Sequence, residues 1–189
     1  MVMKPFEQRG SAIIRRLPSN ASMAEVGVLL GVLSEYVLRQ RKDVSLLMID
    51  SWQTTDKQPE SYKATRDDHA LHSDPKRVLS HRQQAENRAR HFPGRATIMA
   101  MTSLEAAAKV PDASLDLVFL DADHSYEGVK ADLAAWLPKV KPGGWIGGHD
   151  YANTDPRFRF GVTEAVDEWA AAYGRDVEVD ANFTWFARA

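Results

Sequence analysis

The sequence predicts an α/β domain: a mostly parallel sheet flanked by helices, with an antiparallel hairpin at its carboxy-terminal end. From about Met23 onward, short apolar runs alternate with amphipathic stretches, the pattern of strands joined by crossover helices. Several of those apolar runs stop on a glycine or a carboxylate. Near the end of the chain, two strand-like runs are separated only by Ala181 and Asn182, a connection that suits an antiparallel pair. At 189 residues a single domain with a substantial core is expected.

Each element follows from its local pattern. Residues 1–22 read as a helical extension ahead of the sheet. Residues 23–28 read as the first strand, running out into glycine, 32–41 as a helix, and 45–50 (SLLMID) as a second strand ending on Asp50. Residues 51–75 are polar and without a clear period apart from Trp52 and Tyr62, so a lid or loop insertion is expected; segments of this kind commonly cover a site. A helix follows over 76–91, stopped by Pro93-Gly94, then a strand over 96–101 and a short helix over 104–109. Residues 115–121 (LDLVFLD) form a buried strand and 125–137 a helix ended by Pro138 and a Pro142-Gly143-Gly144 turn. A fifth strand, 145–148, leads into His149-Asp150. A helix over 161–173 and the hairpin strands 177–180 and 183–187 complete a seven-stranded sheet.

Composition narrows the function. The chain is 44% hydrophobic and 26% charged, as in ordinary soluble domains. With 24 basic and 26 acidic side chains its formal charge is −2, which offers no general attraction for nucleic acid or an anionic membrane. There is no cysteine, so disulfides, zinc-thiolate sites and thiol nucleophiles are all excluded. The first 18 residues carry Lys4, Glu7, Arg9, Arg15 and Arg16 and no long apolar run; neither a signal peptide nor a membrane span is expected, and a cytoplasmic location is the default.

Two clusters carry chemistry. Glu25-Val26-Gly27, followed by Gly31 and Ser34, puts glycines where the first strand turns into its helix, allowing a ligand to approach the backbone. The ExGxxxG pattern lacks the third glycine of a dinucleotide fingerprint, which favours a cofactor without a pyrophosphate. Asp50 stands 23 residues after Gly27, near the spacing at which a carboxylate takes ribose hydroxyls. A tight turn and a solvated strand end would explain each of these residues alone, but together they favour a ligand site.

The second cluster joins Asp121-Ala122-Asp123-His124 with Gly147-Gly148-His149-Asp150-Tyr151, both at strand ends that face one crevice if the strands pair. Asp121, His149 and Asp150 offer two carboxylates and an imidazole, a partial ligand set for Mg²⁺ or Mn²⁺. Such an ion would acidify and orient a bound hydroxyl. His124 can act as a base, with activity then rising with pH between about 5 and 8. Asp123 and Ser125 suit helix capping better, and His149 could instead orient Asp150. His69, His72, His81 and His91 read as surface groups, with His69 and His72 also placed to line the lid. Arg157 and Arg159, interleaved with Phe158 and Phe160, are candidates to contact an acceptor.

The stretches AEVGVLLGVLS, LLMIDSW, LDLVFLDADHSYEGVKADLAAWLPKVKPGGWIGGHDY and GVTEAVDEW resemble class I S-adenosylmethionine-dependent methyltransferases, and within them the bacterial methyltransferase family 24. The resemblance runs from about Ala24 to the carboxy terminus and implies a Rossmann-like three-layer sandwich. It also implies that Glu25 and Gly27, with Gly31 and Ser34 beside them, line a methionine and adenosine pocket. Asp50 is implied to bind ribose, and Met101, Thr102 and Ser103 to flank adenine. Asp121 would border both cofactor and acceptor. The DAD and GGHD segments are similar to those of metal-dependent O-methyltransferases, which implies Mg²⁺ at Asp121, His149 and Asp150. Two positions depart from that pattern: His149 stands where a carboxylate ligand is usual, and His124 where some members have a catalytic lysine.

The expected activity is therefore methyl transfer from S-adenosylmethionine, assisted by Mg²⁺, to a hydroxyl of a sugar, glycoside or small natural product. Three other readings remain open at this stage: a metal-independent methyltransferase with a histidine base, a nicotinamide-dependent oxidoreductase, and a noncatalytic adenosine-binding module. The partner is expected to be a small molecule or saccharide, with no nucleic acid and no membrane. A homodimer is a common arrangement for such enzymes.

Overall fold

The computed structural model describes residues 3–189. Seven strands form one sheet: β1 (Ser22–Val26), β2 (Ser45–Asp50), β3 (Ala96–Ala100), β4 (Leu115–Leu120), β5 (Val140–Gly148), β6 (Glu178–Asp180) and β7 (Thr184–Arg188), in the order β3-β2-β1-β4-β5-β7-β6. The first five run parallel, while β7 lies antiparallel to β5 and to β6. The mostly parallel α/β class and the closing hairpin predicted from sequence are both present.

The parallel strands read as apolar runs because both of their faces are covered. Alternate residues feed two cores. Met23, Leu46, Met48, Leu117, Phe119 and Phe186 pack on one face with residues of α1 (Pro5–Ile14), α2 (Val32–Gln40) and α5 (Pro75–Ala89). Their neighbours Ala24, Ile49, Val118, Leu120, Ile146 and Trp185 pack on the other, with α6 (Ser103–Ala107), α7 (Tyr126–Trp136) and α8 (Val162–Tyr173). The chain leaves β1 toward one side and β4 toward the other, so a crevice opens at their carboxyl ends. Val26 is level with both Ile49 and Leu120, and Leu120 with Gly148. That register puts the two motif clusters side by side.

Local differences from the sequence reading have physical causes. The fifth strand starts at Val140, and Pro142-Gly143-Gly144 lies inside it, where its pairing with β4 slips between Leu115 and Leu117. The expected turn is an irregularity because Pro142 has no N–H for the ladder. Segment 51–75 is built from a 3-10 turn, Thr55–Lys57, and two short helices, α3 (Glu60–Ala64) and α4 (Asp68–Leu71). These helices are too short to show a hydrophobic period. In the hairpin, Asn182 and Phe183 both take positive φ, 57° and 55°, so the turn extends one residue beyond the Ala181-Asn182 pair. Among the described residues no helix is long and apolar enough to cross a membrane.

Candidate active site

Above the crevice lies one cavity of about 1210 Å³. One side of it is organised by Asp50. The Asp50 carboxylate accepts the Leu29 N–H (2.8 Å) on one oxygen and the Trp52 N–H (2.7 Å) on the other. The Trp52 indole in turn donates to the Leu29 carbonyl (2.9 Å). Leu29 and Trp52 both sit at positive φ, 51° and 43°, a conformation that costs a non-glycine residue about 1–2 kcal/mol. The hydrogen bonds through Asp50 hold both loops in it. Burial pushes the Asp50 carboxyl up, against the two N–H donors.

Glu25 is buried, accepts the Ser34 hydroxyl and is raised to about 8, chiefly by burial. Gly27, at φ 94°, lines the cavity, but a Cβ there would sit 2.0 Å from the Asp121 carbonyl oxygen. The glycine is thus required by the close approach of the turn after β1 to the end of β4. Gly31 does not line the cavity: a Cβ would meet Met48 at 3.1 Å and Ala85 at 3.2 Å, so this glycine lets α5 approach. Ser34 reaches the site only through Glu25. Thr102 and Ser103 line the cavity, whereas Met101 lies on a separate hollow of about 320 Å³ shared with Ser51 and Lys109. Thr102 is also the N-cap of α6. Ser103 donates to Asp132 and accepts the Trp136 indole N–H (2.8 Å). Asp132 lines the same cavity and is raised to about 7, mainly by burial.

The reactive side gathers Asp121, His124 and Asp150, each with a donor atom within 4.8 Å of the others. His124 Nδ1 faces Asp67 Oδ2 at 2.9 Å, and Nε2 lies 3.3 Å from both Asp121 Oδ1 and Asp150 Oδ2. A carboxylate only accepts, so Nδ1 carries a proton. Burial opposes a second proton on the ring, yet Asp121, Asp67 and Asp150 together hold the imidazole well above its usual range. The window of about pH 5–8 expected for a histidine base therefore moves upward. Burial would likewise raise Asp121, but His149, His124 and Arg9 hold it far below the usual carboxylate range. Asp150 is buried at φ 60° and accepts the Asn153 amide (2.7 Å).

His149 faces the same two carboxylates as His124, its Nδ1 lying 3.5 Å from Asp121 Oδ1. Its Nδ1 is 2.9 Å from Asp150 Oδ2, and its Nε2 is 3.2 Å from the Arg9 guanidinium, which also donates to Asn182 Oδ1 (2.8 Å). Arginine can only donate, so Nε2 accepts from it only while the ring is neutral; burial favours that neutral form, yet Asp121 and Asp150 hold the imidazole up at about 9. The structure brings both His124 and His149 against Asp121 and Asp150.

Ser125 is the N-cap of α7, accepting the Gly128 N–H (3.0 Å), while Asp123 accepts the Ser125 N–H (2.8 Å) ahead of the helix and lines the cavity. Phe160 packs on the His124 ring at 4.7 Å and on Phe158 at 4.7 Å, nearly parallel, and Tyr62 meets His124 edge-on at 6.1 Å. Arg157 lines the mouth but is paired with Asp155 (2.6 Å), and Arg159 does not line the cavity. His69 and His81 border it, while His72 is exposed beside Asp68. The sequence reading missed Arg9, Asp67, Asp132 and Asn182 as site residues. Only the Asp67-Asp68-His69 run carried any signal.

A seven-stranded sheet in this order, with its cavity at the β1 and β4 ends, defines the Rossmann-like methyltransferase fold. A family profile described as a methyltransferase domain, of type 24, matches residues 24–151, and the chain belongs to that family of S-adenosylmethionine-dependent enzymes. Similar solved structures include the O-methyltransferase NovP, at 19% identity and a TM-score of 0.66, covering 96% of this chain and 79% of that one. A SAM-dependent methyltransferase from Aquifex aeolicus matches at 13% identity and a TM-score of 0.60, covering 100% of this chain and 98% of that one. At these identities the likeness concerns the fold. The uncharacterized protein y4gI of Sinorhizobium fredii is 35% identical over 96 residues, 50% of this chain. The match spans only 10% of that relative's length.

Proposed function

We propose that the protein transfers the methyl group of S-adenosylmethionine to a hydroxyl of a sugar, glycoside or small natural product, with a divalent cation held by Asp121, His124 and Asp150. The observation that carries this reading is the convergence of two carboxylates and one imidazole nitrogen on a cavity that continues past Glu25 and Asp50. Two carboxylates and an imidazole suit Mg²⁺ or Mn²⁺. The cofactor side offers the carboxyl groups of Glu25, Asp50 and Asp132 as hydrogen-bonding partners for hydroxyl and ammonium groups, and the ionised Asp121 in the same cavity favours a cationic ligand such as a sulfonium. A pyrophosphate would meet the ionised Asp121 in the same cavity, which speaks against a nicotinamide dinucleotide.

The reaction is an in-line displacement: the acceptor hydroxyl gives up its proton to solvent, and its oxygen bonds to the methyl carbon as the carbon–sulfur bond breaks, leaving a neutral thioether. When bound, the cation supplies acidification and orientation of the hydroxyl. Asp50 holds the ribose, Glu25 faces the methionine end, and Phe160 with Tyr62 shields His124 from water. A metal-free reading is favoured by one specific contact, the Asp67–His124 pair, which orients an imidazole as a base for the acceptor proton.

Calorimetric titration with S-adenosylhomocysteine tests the cofactor assignment: micromolar affinity is expected, and no binding with or without Mg²⁺ would remove it. Transfer of labelled methyl groups to a panel of sugars, glycosides and phenolic compounds then tests the chemistry. Activity lost in EDTA and restored by Mg²⁺ supports the cation, whereas full activity in EDTA leaves His124 as the base.

A further inference from the structure

Asp67 belongs to none of the motifs at the strand ends. It sits between α3 and α4 in the polar segment between β2 and β3, yet it is buried against the reactive side of the cavity. The segment is shaped to deliver it. Arg66 takes φ 62°. The buried Thr65 hydroxyl donates to the Tyr62 carbonyl (2.6 Å) and accepts the Asp67 N–H (3.2 Å). The Thr65 carbonyl takes the Arg159 N–H (2.8 Å), tying the segment to the loop between β5 and α8. One Asp67 oxygen caps α4 through the His69 N–H (2.7 Å), leaving the other for His124 Nδ1 (2.9 Å).

With Nδ1–H committed to Asp67, the ring has one remaining nitrogen, and that nitrogen points between Asp121 Oδ1 and Asp150 Oδ2. A carboxylate that accepts the far N–H of a liganding histidine fixes its tautomer and ring orientation and raises its basicity. We infer that Asp67 is a positioning residue: it holds His124 so that Nε2 completes a divalent-cation site with Asp121 and Asp150. This rests on the cation-assisted reading above. It gives segment 51–75 a part in building the site as well as covering it.

The test is Mn²⁺ affinity, followed by the electron paramagnetic resonance of free Mn²⁺, in the wild type, Asp67→Ala and Asp67→Asn. S-adenosylhomocysteine affinity and thermal melting without metal are measured alongside. The wild type is expected to bind Mn²⁺, and Asp67→Ala to bind it about 10–100-fold more weakly, with its S-adenosylhomocysteine affinity unchanged. Asp67→Asn, whose amide oxygen still accepts Nδ1–H but carries no charge, should fall between them. Wild-type Mn²⁺ affinity in either variant would overturn the role of Asp67 and leave the cation site standing. A wild type that binds no Mn²⁺ would remove the cation site and this role together. If Asp67→Ala does not fold, Asp67→Asn decides, and an affinity equal to the wild type overturns the inference.

Discussion

Asp132 shows how a buried carboxyl couples stability to pH. Its folded value, about 7, lies above the ordinary 3.8 because burial disfavours the charged form. The folded state therefore binds more protons than the unfolded one between these values. The stability this group contributes is fully present below about pH 4 and is lost as pH rises through about 7. Asp132→Asn can still accept the Ser103 hydroxyl and should match the wild type near pH 4. By pH 8 it should exceed the wild type by up to about 4 kcal/mol, the equivalent of a three-unit shift. Urea unfolding across that range checks this, and parallel curves for the two proteins would refute it.

The same scale shows what single residues disclosed in sequence. Asp50 was legible as a strand-end carboxylate and sits at the cavity. Gly27 was legible as a required glycine, although the requirement comes from the Asp121 carbonyl as well as from any ligand. A large residue at Gly27 would separate the ends of β1 and β4, so its loss of cofactor binding would say little about the pocket. Gly31 and Ser34 belong to the same short motif, yet one packs on α5 and the other on Glu25. Spacing along a strand–helix turn does not distinguish glycines that face a ligand from glycines that face a helix.

At the scale of elements, β5 is constrained by its paired glycines. A Cβ on Gly147 would lie 2.4 Å from the Phe186 ring, and one on Gly148 would lie 2.5 Å from the Leu120 carbonyl and 2.9 Å from the Trp185 indole nitrogen. Both neighbouring strands therefore approach β5 closely where it delivers His149 and Asp150. Gly148→Ala should destabilise by about 1–3 kcal/mol, as overpacking of a filled interior does, measured by denaturant unfolding. An unchanged midpoint would show that β4 and β7 can part freely.

Parallel strands were readable because burial on both faces makes them uniformly apolar. Segment 51–75 was not, since its short helices owe their order to contacts made at long range, such as Thr65 with Arg159 and Asp67 with His124. The choice between His124 and His149 was equally hidden. Both follow a strand and face Asp121 and Asp150, and what tells them apart comes from far along the chain: Asp67 beside His124, and Arg9, 140 residues away, beside His149.

At the scale of the whole molecule, the two arginines that follow α1 fasten the end of the sheet. The Arg16 guanidinium reaches Glu178 (2.8 Å) and Asp180 (3.0 Å) and lies 3.9 Å from the centre of the Phe186 ring. Arg15 adds a second contact with Asp180 (2.7 Å). The three-residue edge strand β6 is thereby covered by charge, a common protection for an exposed sheet edge. Arg16→Ala should cost about 1–2 kcal/mol, from the lost ring contact and partly buried ion pairs. Amide exchange in β6 and β7 should also quicken, and unchanged exchange there would show that the hairpin holds without Arg16.

The bond from Arg9 to Asn182 also has a meaning in time. At the pace of synthesis, the two residues leave the ribosome on the order of ten seconds apart. Throughout that interval β7, which lies between β5 and β6 in the finished sheet, is missing and Arg9 lacks Asn182. The cavity is therefore completed only as the last strand emerges, and a partly made chain cannot hold its ligands in the finished geometry.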